Sequence, residues 1–379
     1  MQFRVLHMSY VIKEVKSRRD LRRFVRFPDR LYRGCEQYVP ALHSDQVNSL
    51  TRVSTLSYCE HAMWLALDGD RVVGRISAAI NPRYNELYDK KRVRFGWFDT
   101  IDDMEVARLL ISTAEAWAKA KGMTEIHGPL YYNTLGKQGM LVEGYENTPP
   151  FNCLYNYPYY NDFMEALGFE KECDWVQYKV VADAGVPEKV DRVADALAEK
   201  YRIAPVNISK LKKDKGKVRE FFKIYNETFS KSVYNFIPFT DEEIEEEAAG
   251  MIPYVNDRTS TILADENGEV VAFGICIPSI SEALKKAKGH LFPFGWIHLL
   301  KALRTYYVED LMVNGVVEEW RSKGASAIYY KELSAKSIAN GTHWGITNPQ
   351  IETNNAVNVW SSYEHYPFMR RRCYIKTIG

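Results

Sequence analysis

The chain has 379 residues, of which 46% are hydrophobic, so it is long enough to bury the cores of two domains. Its 50 basic and 49 acidic side chains leave a net charge of +1, which argues against a dedicated nucleic-acid-binding protein. The six cysteines are widely spaced without a C-x-x-C pair, so reduced thiols in a cytosolic protein are expected and no metal site is predicted.

The first half of the sequence predicts alternating strands and helices. A strand at 10–15 precedes a helix that Ser17 caps and that continues to Arg33. Two strands flank a Gly-containing turn at 67–70 and predict a hairpin. The other predicted elements are strands at 93–98, 124–130 and 175–181, helices at 102–121 and 161–167, and a Gly- and Tyr-rich loop at 131–160.

The second half repeats this order. It predicts a strand at 202–208, helices at 214–228 and 241–250, and a hairpin of strands 259–263 and 269–277. The hairpin segments Ala66–Gly74 and Ala264–Ala272 are alike, which indicates an internal duplication. The predicted domains are 1–182 and 200–379, joined by a linker helix at 183–199.

The segment 307–340 is the candidate centre of function. A strand at 308–313 is followed by a short turn, Asn314-Gly315, then a basic glycine turn and a helix from Ala325 to about Ala339. The first N–H groups of a helix have no partner within it, so this arrangement predicts an anion site that would suit a diphosphate. Its residues are Arg321, Ser322, Lys323, Gly324, Ala325 and Ser326.

The spacing Arg321-x-x-Gly324-x-Ser326 resembles the acyl-CoA loop of the GCN5-related N-acetyltransferases (GNATs), Q/R-x-x-G-x-G/A, from which Ser326 departs. The element order of both halves resembles the same fold. The chain is also similar to bacterial tandem acyltransferase-like proteins, which include ceramide-forming N-acyltransferases. That similarity lies in Gly128-Pro129-Leu130, Gly139–Tyr145, Tyr155–Tyr160, Gly168-Phe169 and Phe292–Trp296.

The resemblance implies an α/β fold of the α+β type, with two tandem GNAT-like domains and mixed central sheets. It implies an acyl-CoA-dependent N-acyltransferase that uses acetyl-CoA or a longer acyl-CoA and a small-molecule or lipid-like amine. The implied cofactor contacts are the glycine turn, the strand backbone at Met312, Val313 and Asn314, and Asn354 at the start of the last helix.

Amine acylation needs a base for the amine and an acid for the leaving thiolate. Glu309 and Asp310 are the candidate bases, and strand alternation places them on opposite faces, so at most one faces the cleft. The resemblance implies a Tyr on the last helix as the acid; Trp360 falls near the expected position, and Tyr363 lies one turn beyond it. Spacing typical of Ser, Cys or His triads does not occur.

The first half is not equivalent to the second. Asp99, Asp102 and Asp103 follow its central strand, and three carboxylates at a helix N-terminus would repel a diphosphate. We therefore expect this half to be structural. Its Tyr155, Tyr157 and Tyr159 are predicted either to line the substrate site of the other half or to belong to a packed surface loop.

An insertion at 284–307 carries Lys285, Lys286 and Lys288, then an apolar segment containing Trp296, then Lys301 and Arg304. This pattern predicts a lid or a peripheral membrane contact over 285–304, in which Trp296 meets the substrate, or else a helix packed between domains. The N-terminus lacks the apolar core of a signal peptide, and no apolar run is long enough to span a bilayer. The expected location is cytoplasmic, with or without contact to the inner membrane face.

Two functions remain open at this point. The chain is an N-acyltransferase, or it is a catalytically inactive tandem GNAT-like module that binds a ligand or partner. The acyl chain, the amine and the oligomeric state are not predicted.

Overall fold

The computed structural model describes residues 10–230, 233–353 and 355–379. Its strands are β1 Val11–Glu14, β2 Glu60–Asp68, β3 Arg71–Ile80, β4 Arg92–Thr100, β5 Glu125–Gly128, β6 Met140–Glu143, β7 Glu170–Val181, β8 Ala204–Pro205, β9 Thr261–Ala264, β10 Val270–Pro278, β11 Val308–Val316, β12 Trp344–Thr347, β13 Gln350–Ile351 and β14 His365–Thr377.

The helices lie between these strands. They are α1 Arg18–Leu31, α2 His43–Thr51, α3 Pro82–Leu87, α4 Met104–Lys119, α5 Tyr159–Ala166, α6 Glu188–Tyr201, α7 Ile208–Leu211, α8 Lys215–Phe229, α9 Asp241–Met251, α10 Ser281–Ala287, α11 Gly295–Ala302, α12 Glu318–Arg321 and α13 Ala325–Asn340. Two 3₁₀ helices span Ser54–Ser57 and Asn355–Ser362. Within the described ranges, no helix is both long enough and apolar enough to cross a bilayer.

The chain forms two compact units. Unit 1 contains the residues up to Asp174, Lys288–His290 and Arg371–Gly379, and unit 2 contains Trp175–Ala287 and Leu291–Arg370. Each predicted domain, 1–182 and 200–379, is one continuous segment of the chain. The compact units instead change over within β7 and again within β14.

Unit 1 is built on a mixed sheet. Its strands β1, β2, β3 and β4 pair antiparallel in that order, and β4 then pairs parallel with β5. The C-terminal part of β14 completes this sheet, where Tyr374 pairs antiparallel with Gly128. On one face of the sheet, Phe95 of β4 packs in a core with Leu110 and Ala114 from the apolar side of α4.

Unit 2 repeats this pattern. Its strands β8, β9, β10 and β11 pair antiparallel, and β11 pairs parallel with β12. The C-terminal part of β7 completes the sheet, with Trp344 opposite Val181. The sheet of each unit therefore includes a strand from the other sequence half. The predicted α/β fold with mixed strand pairing is confirmed.

The sheet of unit 2 is covered on both faces. Phe273 and Ile275 of β10 face the helices α8 and α9, and their neighbours form an aromatic core with Phe221, Phe222 and Tyr225. The alternate residues of β10, such as Gly274, face Tyr329 and Leu333 of α13. The predicted linker helix is α6, and its Ala194 packs with Ala325 and Ile328 of α13.

Two local predictions are wrong. Asn314 and Gly315 are not a turn but part of β11, which continues to Val316. The last predicted helix is a 3₁₀ helix.

The sequence also has a run of three arginines at 370–372, which lies in β14. Arg371 is fully buried there, and Arg372 binds the Asp174 carboxylate at 2.8 and 3.1 Å.

The position of Gly315 gives a stability test. A Cβ there would lie 2.7 Å from Cζ of Phe273 and 3.0 Å from a Thr228 methyl group, so the ring would have to move. We expect Gly315→Ala to lower the free energy of unfolding by about 1–3 kcal/mol, measured by urea denaturation.

The matched control is Gly250→Ala in α9, where a Cβ meets open space. Because alanine favours a helix over glycine, this variant should gain roughly 0.5–1 kcal/mol. A neutral Gly315→Ala would mean that the residue lies in an open turn after all.

Candidate functional site

Strands β11 and β12 separate partway along their length. Their parallel pairing joins Val308–Leu311 to Trp344–Thr347, and β12 then ends. β11 continues for five more residues, still paired with β10. Backbone groups of β11 beyond the end of β12 therefore lack a strand partner on that side, and a ligand could take up their hydrogen bonds. A crevice lies beside this point, lined by Leu311, Gly345 and side chains of α13.

A β-bulge lies where the two strands separate. Ile275 is opposite Val313 and Cys276 is opposite Leu311, so Met312 is the extra residue of β11. Bulges redirect the backbone and are frequent next to active sites. The predicted contacts Met312, Val313 and Asn314 all lie on this stretch and are half-buried.

The predicted anion loop reaches the N-terminus of α13. Gly324 has φ +77°, which favours glycine, and it precedes the first helical residue, Ala325. Ala325 and Ser326 are in the first turn, whose N–H groups have no acceptor within the helix. Ser322 and Lys323 are exposed, with the Lys323 ammonium 3.9 Å from the centre of the Trp320 ring.

Arg321 is directed toward its own chain. Its guanidinium donates to the carbonyls of Val316, at 3.2 Å, and Thr228, at 2.8 Å. It also forms an ion pair with Glu318 at 2.9 Å. In this arrangement Arg321 fixes the loop against the end of α8, and the helix N-terminus and Lys323 supply positive potential for an anion.

Glu309 lines the crevice. It is buried, and its carboxylate accepts hydrogen bonds from the hydroxyls of Thr342, at 3.0 Å, and Ser337, at 3.4 Å. Burial raises the pKa of Glu309, and the two hydroxyls oppose that rise. Sequence reasoning did not identify these two hydroxyls, which lie near the end of α13 without any motif.

Asp310 is on the opposite face of the sheet. It pairs in register with Ile277, two residues along β10 from Ile275, so it faces the α8 and α9 side. It is buried, and its carboxylate oxygens make no hydrogen bond of good geometry with the described residues, although the Ser279 side chain lies near enough to stabilise the charged form. Burial raises the pKa of Asp310 to about 7, and the Ser279 side chain opposes this rise.

Tyr363 lines the same crevice as Glu309. Its hydroxyl is buried, has no partner among the described residues, and has a pKa that burial raises to about 12. Trp360 is also buried there, and its indole donates to Gln350 at 2.9 Å. The crevice thus contains a proton donor free to meet a ligand. Its other lining side chains include Cys276, Tyr330, Leu333 and Ser334.

The thiol of Cys276 also lines the crevice. Burial, together with the charge of Glu309, raises its pKa well above the usual value. A protonated thiol is a poor nucleophile.

The corresponding helix N-terminus in unit 1 carries a capping carboxylate, and the absence of a cofactor there stays a prediction. There β4 runs almost directly into α4, and Asp103 caps the helix by accepting from the N–H of Glu105 at 2.8 Å. The hydroxyl of Tyr10 donates to the same carboxylate at 2.7 Å. Asp103 therefore already satisfies part of the N-terminus that a phosphate would need.

The predicted substrate tyrosines lie in unit 1. The hydroxyl of Tyr159 donates to the Thr100 carbonyl at 2.7 Å, and that of Tyr155 donates to the Tyr145 carbonyl at 3.3 Å. Tyr157 packs beside Tyr32. These contacts anchor the loop within its own unit, and the role of the three tyrosines toward a substrate stays a prediction.

Two other predicted contacts are placed differently. Trp296 is on α11, exposed and outside the residues that line the crevice. Asn354 lies outside the described residues.

One group of potential metal ligands occurs among the described residues, in unit 1. Side-chain atoms of His127, Glu172 and Cys373 lie within 4.8 Å of one another. The Arg92 guanidinium already pairs with Glu172 at 2.6 Å, and burial raises the pKa of the Cys373 thiol. A buried ion pair between Arg92 and Glu172 accounts for the carboxylate without a metal. The absence of a metal stays a prediction.

Two bacterial proteins are similar to the chain in sequence. It is 28% identical over 318 residues to protein YghO of Escherichia coli, covering 82% of this chain and 80% of that protein. It is 29% identical over 307 residues to the bacterial ceramide synthase of Caulobacter vibrioides, covering 79% and 78%. No protein-family model matches the chain.

Solved structures show the fold. A tandem GNAT protein of the clavulanic acid biosynthesis pathway has a TM-score of 0.56 at 12% identity, covering 98% of this chain and 99% of that one. A GCN5-related glucosamine N-acetyltransferase region of a fungal β-N-acetylglucosaminidase has a TM-score of 0.61 at 13% identity, covering 98% and 38%. The predicted tandem GNAT fold is confirmed, and the ceramide synthase relative fits the bacterial two-domain group.

The raised pKa of Asp310 predicts a pH-dependent stability. In the unfolded chain this carboxyl has a pKa near 3.8, so the folded state binds its proton more tightly. Folding stability should therefore fall as the pH rises from about 4 to about 7. Asp310→Asn removes this cost and should be more stable than wild type by up to about 4 kcal/mol at pH 8, with little difference at pH 4.

Denaturant titrations at the two pH values measure the effect. Glu309→Gln is the matched comparison on the same strand, and its pH-dependent gain should be smaller because hydroxyl groups stabilise the Glu309 carboxylate. An equal stability change for Asp310→Asn at pH 4 and pH 8 would show that Asp310 keeps an ordinary pKa.

Proposed function

We propose that this chain, which has the tandem GNAT fold, is an acyl-CoA-dependent N-acyltransferase whose reaction takes place in unit 2. The observation that carries the proposal is the combination, in one unit, of separated parallel strands, a glycine-headed helix and the crevice with Glu309 and Tyr363. An acyl-CoA would supply the thioester, whose acyl group passes to the amine with release of the thiol.

The proposed cofactor contacts follow the length of α13. Gly324, Ala325 and Ser326 would bind the diphosphate through backbone N–H groups. Ser334 lies nine residues further along the helix, about 14 Å at 1.5 Å per residue, and lines the crevice. An extended pantetheine arm can span such a distance and bring the thioester to the open edge of β11 near Met312.

The proton transfers would use both faces of the sheet. A carbonyl placed between the separated strands is accessible from two sides, so amine and leaving thiol need not compete for space. We assign Asp310 as the base, because its carboxylate is only weakly hydrogen-bonded and a pKa of about 7 suits a base at neutral pH. Glu309, held by two hydroxyls, is then a positioning residue.

Tyr363 is the proposed acid. The new C–N bond forms as the C–S bond breaks; Asp310 accepts the proton from the amine, and the Tyr363 hydroxyl gives one to the sulfur. The unpartnered hydroxyl in the crevice supports this role. Asp310 then releases its proton to water and Tyr363 takes one up from water, so both side chains return to their starting state and the products are an amide and a free thiol.

A small apolar hollow of about 40 Å³ could take the first carbons of an alkyl amine, though not a whole lipid chain. It lies on the same sheet face as Asp310, beneath α8 and α9, and its side chains are nearly all apolar. An alkyl chain would gain by leaving water for such a site. The relative named bacterial ceramide synthase supports the same substrate class. The lining includes Ile208, Val218, Phe221, Phe222, Met251 and Ile275.

Arg321 favours a second function, a binding protein without turnover. An arginine already bonded to Val316 and Thr228 is less able to bind phosphate, which would weaken cofactor affinity. In this alternative, a ligand or partner would occupy the crevice, and no thiol would be released.

Thiol release from acyl-CoA in the presence of short- and long-chain amines tests the proposal. Turnover should rise with pH through about 7, because Asp310 must be ionised. Asp310→Asn should lower kcat by roughly 10²–10⁴-fold and Tyr363→Phe by at least about tenfold. Glu309→Gln should cost less than about tenfold.

The stability measurements above separate lost chemistry from lost folding, since Asp310→Asn should be stabilised while it loses activity. Equal rates for the Asp310→Asn and Glu309→Gln variants would remove Asp310 as the base. An absence of thiol release with every amine, despite acyl-CoA binding, would favour the non-catalytic alternative.

A further inference from the structure

Unit 2 exposes an apolar segment that a protein in water would normally cover. We call residues 291–300 the apolar tip. Phe292 is 74% exposed and Phe294 68% exposed, and Trp296, Ile297 and Leu300 of α11 are each more than 40% exposed. Single exposed apolar residues are ordinary, but five in ten consecutive residues indicate a contact surface.

The apolar tip is a formed structure. The backbone N–H of Trp296 donates to the Leu291 carbonyl at 2.8 Å, and its indole donates to the Pro293 carbonyl at 2.9 Å. These two bonds close the turn that carries both phenylalanines. α11 packs against α10, and Ala283 and Leu284 of α10 are buried. The aromatic side chains are therefore presented outward by a fixed support.

Basic side chains follow the apolar ones along the chain. Lys301 lies one turn after Ile297 on α11, and Arg304 follows in the turn just after the helix ends. Both are exposed. The basic residues thus begin about 8 Å from Trp296 along the helix, a separation similar to that between the acyl boundary and the lipid headgroups.

The neighbouring helix adds charge of the same sign. Lys285 and Lys286 are on α10, and Glu282 is the acidic residue there, paired with Lys285 at 2.7 Å. Between residues 281 and 304 the sequence has five basic residues against that one acid. An apolar surface bordered by positive charge is complementary to a lipid bilayer, which has an apolar interior and, with anionic lipids, negatively charged headgroups.

We propose that the apolar tip inserts into the surface of an anionic membrane. Phe292, Phe294 and Trp296 enter the acyl boundary, and Lys286, Lys301 and Arg304 contact the headgroups. Tryptophan suits this position because its ring is apolar while its N–H keeps a hydrogen bond. The inference goes beyond the proposed function and does not depend on it, since it uses no residue of the crevice.

Cosedimentation of the full chain with vesicles tests the proposal. We expect binding to vesicles with phosphatidylglycerol and at least about tenfold weaker binding to pure phosphatidylcholine. The variant Phe292→Ser/Phe294→Ser/Trp296→Ser should bind at least about tenfold more weakly. Lys286→Glu/Lys301→Glu/Arg304→Glu should lose affinity similarly at low salt, by a factor that shrinks at 0.5 M salt.

The matched control removes three exposed apolar side chains elsewhere, Leu87→Ser/Tyr254→Ser/Ile338→Ser, and should bind like wild type. Brominated lipid should quench part of the tryptophan fluorescence of wild type but not of Trp296→Phe. Failure of wild type to bind anionic vesicles, or equal losses in the two apolar triple variants, would overturn the proposal. The proposal would also fail if wild type were a dimer, the tip variant were a monomer, and both bound vesicles equally well. The tip would then contact a second copy of the chain.

Discussion

The separation of β11 from β12 after Leu311 is the feature on which the rest of the site depends. Strands that stay paired satisfy each other's backbone groups, whereas strands that separate leave polar groups that need another partner. The bulge at Met312 fixes the place of this change, and α13 covers the crevice that results. A thioester carbonyl that accepts hydrogen bonds from the backbone N–H groups of that edge would complete the interrupted sheet.

The same strand buries two consecutive carboxylates, and alternation gives them different surroundings. Glu309 has two hydroxyl donors, which compensate for its burial. Asp310 has only the weak contact with Ser279, so its ionised form is held at a cost in folding stability. Such a cost is typical of groups kept for chemistry, because a well-solvated carboxylate would be a much weaker base at neutral pH.

Local sequence determines a large part of this fold. The two hairpins, the Ser17 cap of α1 and the start of α13 at Gly324 could be predicted, because turn and cap residues act over a few positions. The opposite faces of Glu309 and Asp310 could be predicted from strand alternation alone. The repeated order of elements in the two halves was likewise visible.

What could not be predicted depends on contacts distant in sequence. Gly315 looks like a turn residue, and only the ring of Phe273 shows that it serves close packing in a strand. Arg371 sits in a basic run that is exposed by composition, yet its position in β14 buries it. The exchange of the last strands, and the donors Ser337 and Thr342 to Glu309, follow from topology rather than from any motif.

The central claim is that the chain has one acyl-CoA site, at the N-terminus of α13. Isothermal titration of the chain with a non-hydrolysable acyl-CoA analogue measures the stoichiometry directly. One molecule should bind per chain, and Gly324→Asp should abolish binding while Gly324→Ala, which shares the strained φ but adds no charge, should retain part of it. A stoichiometry of two or zero, or unchanged binding by Gly324→Asp, would contradict the account.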